Sequence, residues 1–247
     1  MDKQKFIKAC EKIIDIERAK NGIGTLGEKT LHAVLKLYFE PNTDNHEVKV
    51  GSFVADIATD YNIIEIQTRS FDKLRKKLSV FLETQPVTIV YPVPKTKWLL
   101  WIDQQTGETT KRRKSTKQGR VFDIISELYK IKPLINHANF RICMVFIDME
   151  EYRYLDGWSK DKKKGSTRCD RIPTDIVDEV CFGCTADYAK LLPNGLPAQF
   201  TSKDYKAAAQ IQLHIAQTAL NILRHVGVIE LVGKKGSLFL YEKAKTL

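Results

Sequence analysis

The 247 residues carry a net charge of +10 and 43% hydrophobic side chains, which is enough for a sizeable core in one large domain or two small ones. No apolar run approaches the ~20 residues of a membrane helix, MDKQKFIKACEK lacks the apolar stretch of a secretion signal, and five cysteines, an odd number, do not suggest a disulfide framework. The chain therefore reads as soluble and cytoplasmic, with nucleic acid the favoured polyanion partner.

Residues 2–20 place Phe6, Ile7, Cys10, Ile13, Ile14 and Ile16 at helical spacing and end at Asn21-Gly22. A second helix is expected from near Thr25 to Phe39, where Pro41 stops it. Strand signals follow at 47–50, 53–58 and 63–67. Residues 72–83 return to helical spacing, with Leu74, Leu78, Phe81 and Leu82 on one stripe and Lys73, Arg75, Lys76 and Lys77 around it. PVTIVYPV (86–93) reads as a short buried strand, and residues 98–114 as a hairpin turning at Thr106-Gly107. A helix over 121–131 and a buried strand over 140–148 complete an α/β unit of residues 1–170, with helices on both sides of a mixed sheet. Pro173 opens a different region, 171–247. It reads as two short helices, a third over Leu213–His225 ending at Gly227, and a hairpin around Gly233-Lys234-Lys235-Gly236.

Charge is concentrated in three places. Residues 95–120 hold eight Lys or Arg against Asp103 and Glu108, 153–171 seven against three acids, and 203–245 seven against three. KRRK (111–114) and KKK (162–164) read as loops or strand ends able to meet phosphates.

Against this basic background, Asp56, Glu65 and Gln67 interrupt two apolar strands, a costly placement unless something compensates it. A two-residue turn at Asp60-Tyr61 sets Asp56 opposite Glu65. A turn at Tyr61-Asn62 sets it opposite Gln67. In both registers the three share one face, with opposed Cβ atoms ~5 Å apart. Carboxylates that close repel unless a cation or a proton intervenes, and Mg²⁺ (or Mn²⁺) bridges such a pair well. A solvated edge hairpin would show the same residues.

A helical Glu, an Asp on a strand and Glu-x-Lys on the next strand form the pattern of the PD-(D/E)XK nuclease superfamily. GEKTLH (27–32) and ADIATDYNIIEIQT (55–68) resemble it through Glu28, Asp56, Glu65 and Gln67. The resemblance implies a restriction-endonuclease-like mixed sheet flanked by helices and a Mg²⁺-dependent DNA endonuclease. It implies that Asp56, Glu65 and the Ile66 carbonyl bind the metal, and that Glu28 is a further carboxylate of the site. The third motif position is usually Lys. Gln67 can hydrogen-bond the attacking water there but brings no charge, so Lys49, Arg69 and Lys77 stand as replacements. Glu28 also fits a capping box with Thr25. Helix, helix, helix and basic-tipped hairpin resemble a winged helix-turn-helix, and the two modules together resemble the endonuclease subunit of Tn7-like transposition machinery.

In that small α+β winged-helix domain His214, Gln217 and Asn221 are candidates for base edges. Lys234 and Lys235 at the wing, like Lys111, Arg112 and Arg113, are candidates for phosphates. The module also suits a homodimer contact or a protein partner. The other class consistent with these residues is a non-catalytic DNA-binding or regulatory protein on a degenerate nuclease scaffold. CFGC (181–184), even with Cys169, offers no complete zinc set and reads as buried, unmetallated thiols. Trp98 and Trp101 read as hairpin packing.

Overall fold

The computed structural model describes residues 1–21, 30–157 and 167–245. Thr25 and Glu28, with their rival readings, and the KKK run at 162–164 lie outside the described residues. Helix α1 (Lys3–Asn21) and helix α2 (Thr30–Phe39) precede a meander of β1 (His46–Val50), β2 (Phe53–Ala58) and β3 (Ile63–Ile66). A 3-10 turn and α3 (Arg75–Phe81) lead to β4 (Val87–Ile102), which runs parallel to β3 with Glu65 beside Ile89. The short β5 (Arg113–Lys114) folds back on Trp98 and Leu99, as the expected turn at Gly107 requires. Helix α4 (Ile125–Lys130) then carries the chain to β6 (Phe140–Tyr154), parallel to β4, and β7 (Arg168–Phe182) returns antiparallel. The sheet order is β1-β2-β3-β4-β6-β7, with β5 attached to β4.

Each sheet face is closed by helices. On one, Phe6, Leu31, Val34 and Leu35 of α1 and α2 pack on Ile57, Ile66, Val90 and Val145. On the other, α3 and α4 share one continuous core with the C-terminal helices α5 (Thr185–Tyr188), α6 (Ser202–Ala209) and α7 (Leu213–His225), through Leu78, Leu128, Ile142, Ala216 and Leu220. A second sheet of β8 (Gln199–Phe200), β10 (Leu238–Lys243) and β9 (Ile229–Lys235) follows in that order. Its hairpin turns at Gly236-Ser237, with Lys235 opposite Leu238 and Gly236 at φ +63°, two residues later than the expected centre at Lys234-Lys235. Among the described residues no helix is long and apolar enough to cross a membrane.

Three expectations need correction. The strand expected at 86–93 continues to Ile102. Pro92 and Pro94 do not end it, because β3 pairs only with Val87–Val90 and leaves that edge of β4 without a ladder partner at the prolines. The strand β7 was not anticipated, and the boundary expected between residues 170 and 171 falls inside it. Pro173 is tolerated because β7 is an edge strand and the ladder shifts register between Asp148 and Met149. Finally, a disulfide joins Cys143 to Cys181, direct partners in the β6–β7 ladder, and Cys184 is exposed with its thiol against the Asp187 carboxylate. CFGC is thus a strand end rather than a pair of buried thiols.

Gly119 fixes the segment after β5. Its amide donates to the Pro94 carbonyl at 2.8 Å, and a Cβ there would lie 2.1 Å from Val93 Cγ1 and 2.6 Å from that carbonyl oxygen. Gly119→Ala is expected to cost on the order of 1–3 kcal/mol, read as a lower urea midpoint. An unchanged midpoint would contradict the packing of residues 115–120 on β4.

Candidate active site

The strands β2 and β3 pair only through Ile57 with Ile64 and Ala58 with Ile63. Of the two registers open to the sequence, this is the one that sets Asp56 opposite Glu65. The ladder stops there. The Asp56 amide donates to Glu65 Oε1 at 3.2 Å and the Ile66 amide to Asp56 Oδ2 at 2.8 Å, so the two carboxylates accept bonds that ladder carbonyls would otherwise take. On the other side of Asp56, Glu47 of β1 holds φ +53° between the pairs His46–Ile57 and Val48–Ala55. A left-handed non-glycine residue in a strand stores strain of order 1–3 kcal/mol, and here it lies where β2 carries its acid.

The two acids meet different surroundings. Asp56 reaches an open cleft of about 680 Å³ lined also by His32, Ile66, Gln67, Arg69 and Lys73. Its Oδ2 is 3.1 Å from His32 Nε2, and its Oδ1 takes no hydrogen bond among the described residues. Glu65 is only 3% exposed, and Lys77 Nζ of α3 donates to its Oε2 at 2.6 Å. Burial and the neighbouring Asp56 charge push the Glu65 carboxyl up to about 7 against the pull of Lys77. Burial also pushes Asp56 upward, but the hydrogen bond and charge of His32, the Ile66 amide and Lys77 outweigh it and hold Asp56 below the usual carboxylate range. One acid stays ionised while its partner is poised to hold a proton, the division expected of close carboxylates.

Of the expected site residues, Asp56, Glu65 and Ile66 come together. Gln67 lies at the cleft wall, but its Nε2 donates to the Arg69 carbonyl at 2.6 Å and so braces the loop after β3. Among the three replacement cations, Lys77 contacts Glu65, Arg69 lines the cleft, and Lys49 is exposed on β1. His32 was not anticipated. It closes the segment GEKTLH that carries Glu28, but a lone histidine there has no spacing partner to mark it. Among the described residues no three His, Cys, Asp or Glu side chains gather as a ready cation cage. The donors still suit a hard divalent ion: an unengaged Asp56 oxygen on the cleft, and beside it a buried Glu65 whose carboxyl stays raised even with Lys77 bound to it.

Some of the basic charge is neutralised internally. Glu151, 2% exposed, binds Lys97 and Arg153, with Arg168 at 3.7 Å. Arg112 pairs with Glu150 and stacks 4.1 Å over Trp98, so that tryptophan packs the hairpin. Lys111 and Arg113 are exposed. On α7, His214, Gln217 and Asn221 form one exposed stripe, though Asn221 Oδ1 accepts from Lys132 at 2.7 Å. Lys234 and Lys235 are exposed beside the hairpin tip, with the Lys234 ammonium 5.4 Å from the Phe239 ring.

The family described as "Domain of unknown function (DUF8091)" matches residues 29–183, more than half of the chain and the whole span from α2 to β7. An uncharacterized protein of Treponema pallidum (strain Nichols) is 29% identical over 222 residues, which cover 90% of this chain and 87% of that protein. No solved structure matches.

Proposed function

The chain belongs to the DUF8091 family, and we propose that it is a divalent-cation-dependent DNA endonuclease with a restriction-endonuclease-like core. The observation that carries the reading is the meeting of Asp56 and Glu65 where β2 and β3 part, beside a cleft bearing Arg69 and Lys73. The order α2, β1-β2-β3 meander, α3, β4 parallel to β3 supports it. Asp56, Glu65 and the Ile66 carbonyl would hold Mg²⁺ or Mn²⁺. Such an ion, when bound, supplies Lewis-acid stabilisation of phosphate charge and lowers the pKa of water. Arg69 and Lys73 attract and orient the phosphodiester, and Lys77 contributes the positive charge that Gln67 does not. Residues 185–243 act as a winged helix, with His214, Gln217 and Asn221 toward bases and Lys234 and Lys235 toward phosphates.

A second reading has its own observation. Lys77 already sits on Glu65 as a cation would, which suits a DNA-binding regulator on a degenerate scaffold. A panel of supercoiled, linear, branched and single-stranded DNA with Mg²⁺, Mn²⁺ or EDTA separates the two. The nuclease cuts at least one substrate with an ion and none in EDTA. Binding without cleavage of any substrate in either ion would favour the regulator.

A further inference from the structure

We infer that His32 is a direct ligand of the cation site and makes it prefer Mn²⁺ to Mg²⁺. The inference rests on the proposal that Asp56 holds a divalent ion. It goes further in naming a nitrogen donor and the class of ion that donor selects.

Geometry comes first. His32 Nε2 and Asp56 Oδ2 are 3.1 Å apart. Two adjacent ligands of an octahedral ion, each about 2.1 Å from the metal, lie about 3.0 Å from one another. The separation thus suits neighbouring ligands as well as it suits the hydrogen bond now made, so an ion could enter without moving either side chain far. An ion entering from the cleft would replace one hydrogen bond with two metal bonds, with the imidazole neutral and its Nε2 lone pair facing the ion.

The helix that carries His32 is firmly placed. Leu31 and Leu35 are 1% and 0% exposed against the sheet, and the Thr30 hydroxyl donates to the buried Asp170 carboxylate of β7. These contacts fix which face of α2 meets β2. His32 itself lines the cleft and remains reachable from solvent.

Donor chemistry then sets the preference. Mg²⁺ favours oxygen ligands and gives up water reluctantly. Imidazole nitrogen favours the first-row transition ions, and Mn²⁺ is the member of that series that also accepts carboxylates and carbonyls readily. A site of Asp56 oxygen, His32 nitrogen and the Ile66 carbonyl, with Glu65 recruited from Lys77, is a mixed N/O site of that kind.

The competing role for His32 is to orient Asp56 by a hydrogen bond alone. Orientation helps both ions alike, whereas ligation changes their ratio. Mn²⁺ and Mg²⁺ affinities are measured by calorimetry on the full chain without DNA, with the Mn²⁺ spectrum followed by electron paramagnetic resonance. Wild type, His32→Ala and His32→Asp are compared after circular dichroism confirms that each is folded. Wild type is expected to favour Mn²⁺. His32→Ala is expected to weaken Mn²⁺ by about tenfold or more and Mg²⁺ by much less. His32→Asp, restoring an oxygen donor, is expected to move the ratio toward Mg²⁺. An equal loss for both ions in His32→Ala, or no loss, overturns the inference while leaving the cation at Asp56 in place. No binding of either ion to wild type overturns the cation proposal as well.

Discussion

Asp56→Asn is expected to lower the DNA cleavage rate on the order of 10³-fold while leaving the fold unchanged. Asparagine keeps the shape of the side chain and its oxygen can still accept from the Ile66 amide, so the parting of β2 and β3 survives. What disappears is one negative charge at the cleft. That charge is also one of the two causes that push the Glu65 carboxyl up, so the same variant should bring Glu65 back toward the ordinary carboxylate range. Plasmid nicking measures the first effect and carboxyl NMR titration the second. Gln67→Ala, by contrast, removes a brace on the Arg69 carbonyl and should act through the loop, with a much smaller loss of rate. A wild-type rate in Asp56→Asn would remove Asp56 from the site.

Lys77→Met should have the largest effect on stability. It leaves Glu65, 3% exposed, without the ammonium that holds its Oε2. Removing one partner of a buried pair costs about 3–5 kcal/mol when the other stays charged. Glu65 can escape that cost by taking a proton. Its folded value, about 7, lies above the ordinary 4.5. Its stabilising contribution is thus complete below the ordinary value and is lost as pH rises through the folded one. The methionine variant raises the folded value further, so its deficit should be small near pH 5 and grow to about 3 kcal/mol by pH 8. At about 2–4 °C per kcal/mol for a chain of this size, melting curves across that range would resolve it. Glu65→Gln in the same chain should remove most of the pH dependence. A deficit equal at pH 5 and pH 8 would mean that Lys77 acts by packing on Phe81, 5.5 Å away, and not by charge.

How much of this was readable beforehand differs from residue to residue. Asp56 and Glu65 were legible because side chains alternate along a strand, so either candidate register kept them on one face. Helix α7 was legible to its ends, with its apolar stripe bounded by Gln212 and Gly227. His32 was not, because a single histidine carries no period. Only the packing of α2 on the sheet brings it to Asp56. The choice of Lys77 over Lys49 and Arg69 likewise depends on where α3 crosses β3. Strand β7 was hidden by Pro173, since a proline forbidden in a central strand is harmless at an edge. With β7 unseen, the Cys143–Cys181 pairing had no register to reveal it. The basic clusters are plain in the sequence, but Glu150 and Glu151 on β6 absorb part of that charge.

We propose that the Asp56–Glu65 pair serves cation-dependent hydrolysis of DNA. Its most direct test is relaxation of supercoiled plasmid by the purified full chain in Mn²⁺, in EDTA, and in Mn²⁺ with Asp56→Asn and Glu65→Gln run alongside. Open-circular and linear DNA are expected in the first arm alone. Relaxation of equal rate in all arms, or in none while the wild-type chain binds both the plasmid and Mn²⁺, would contradict it.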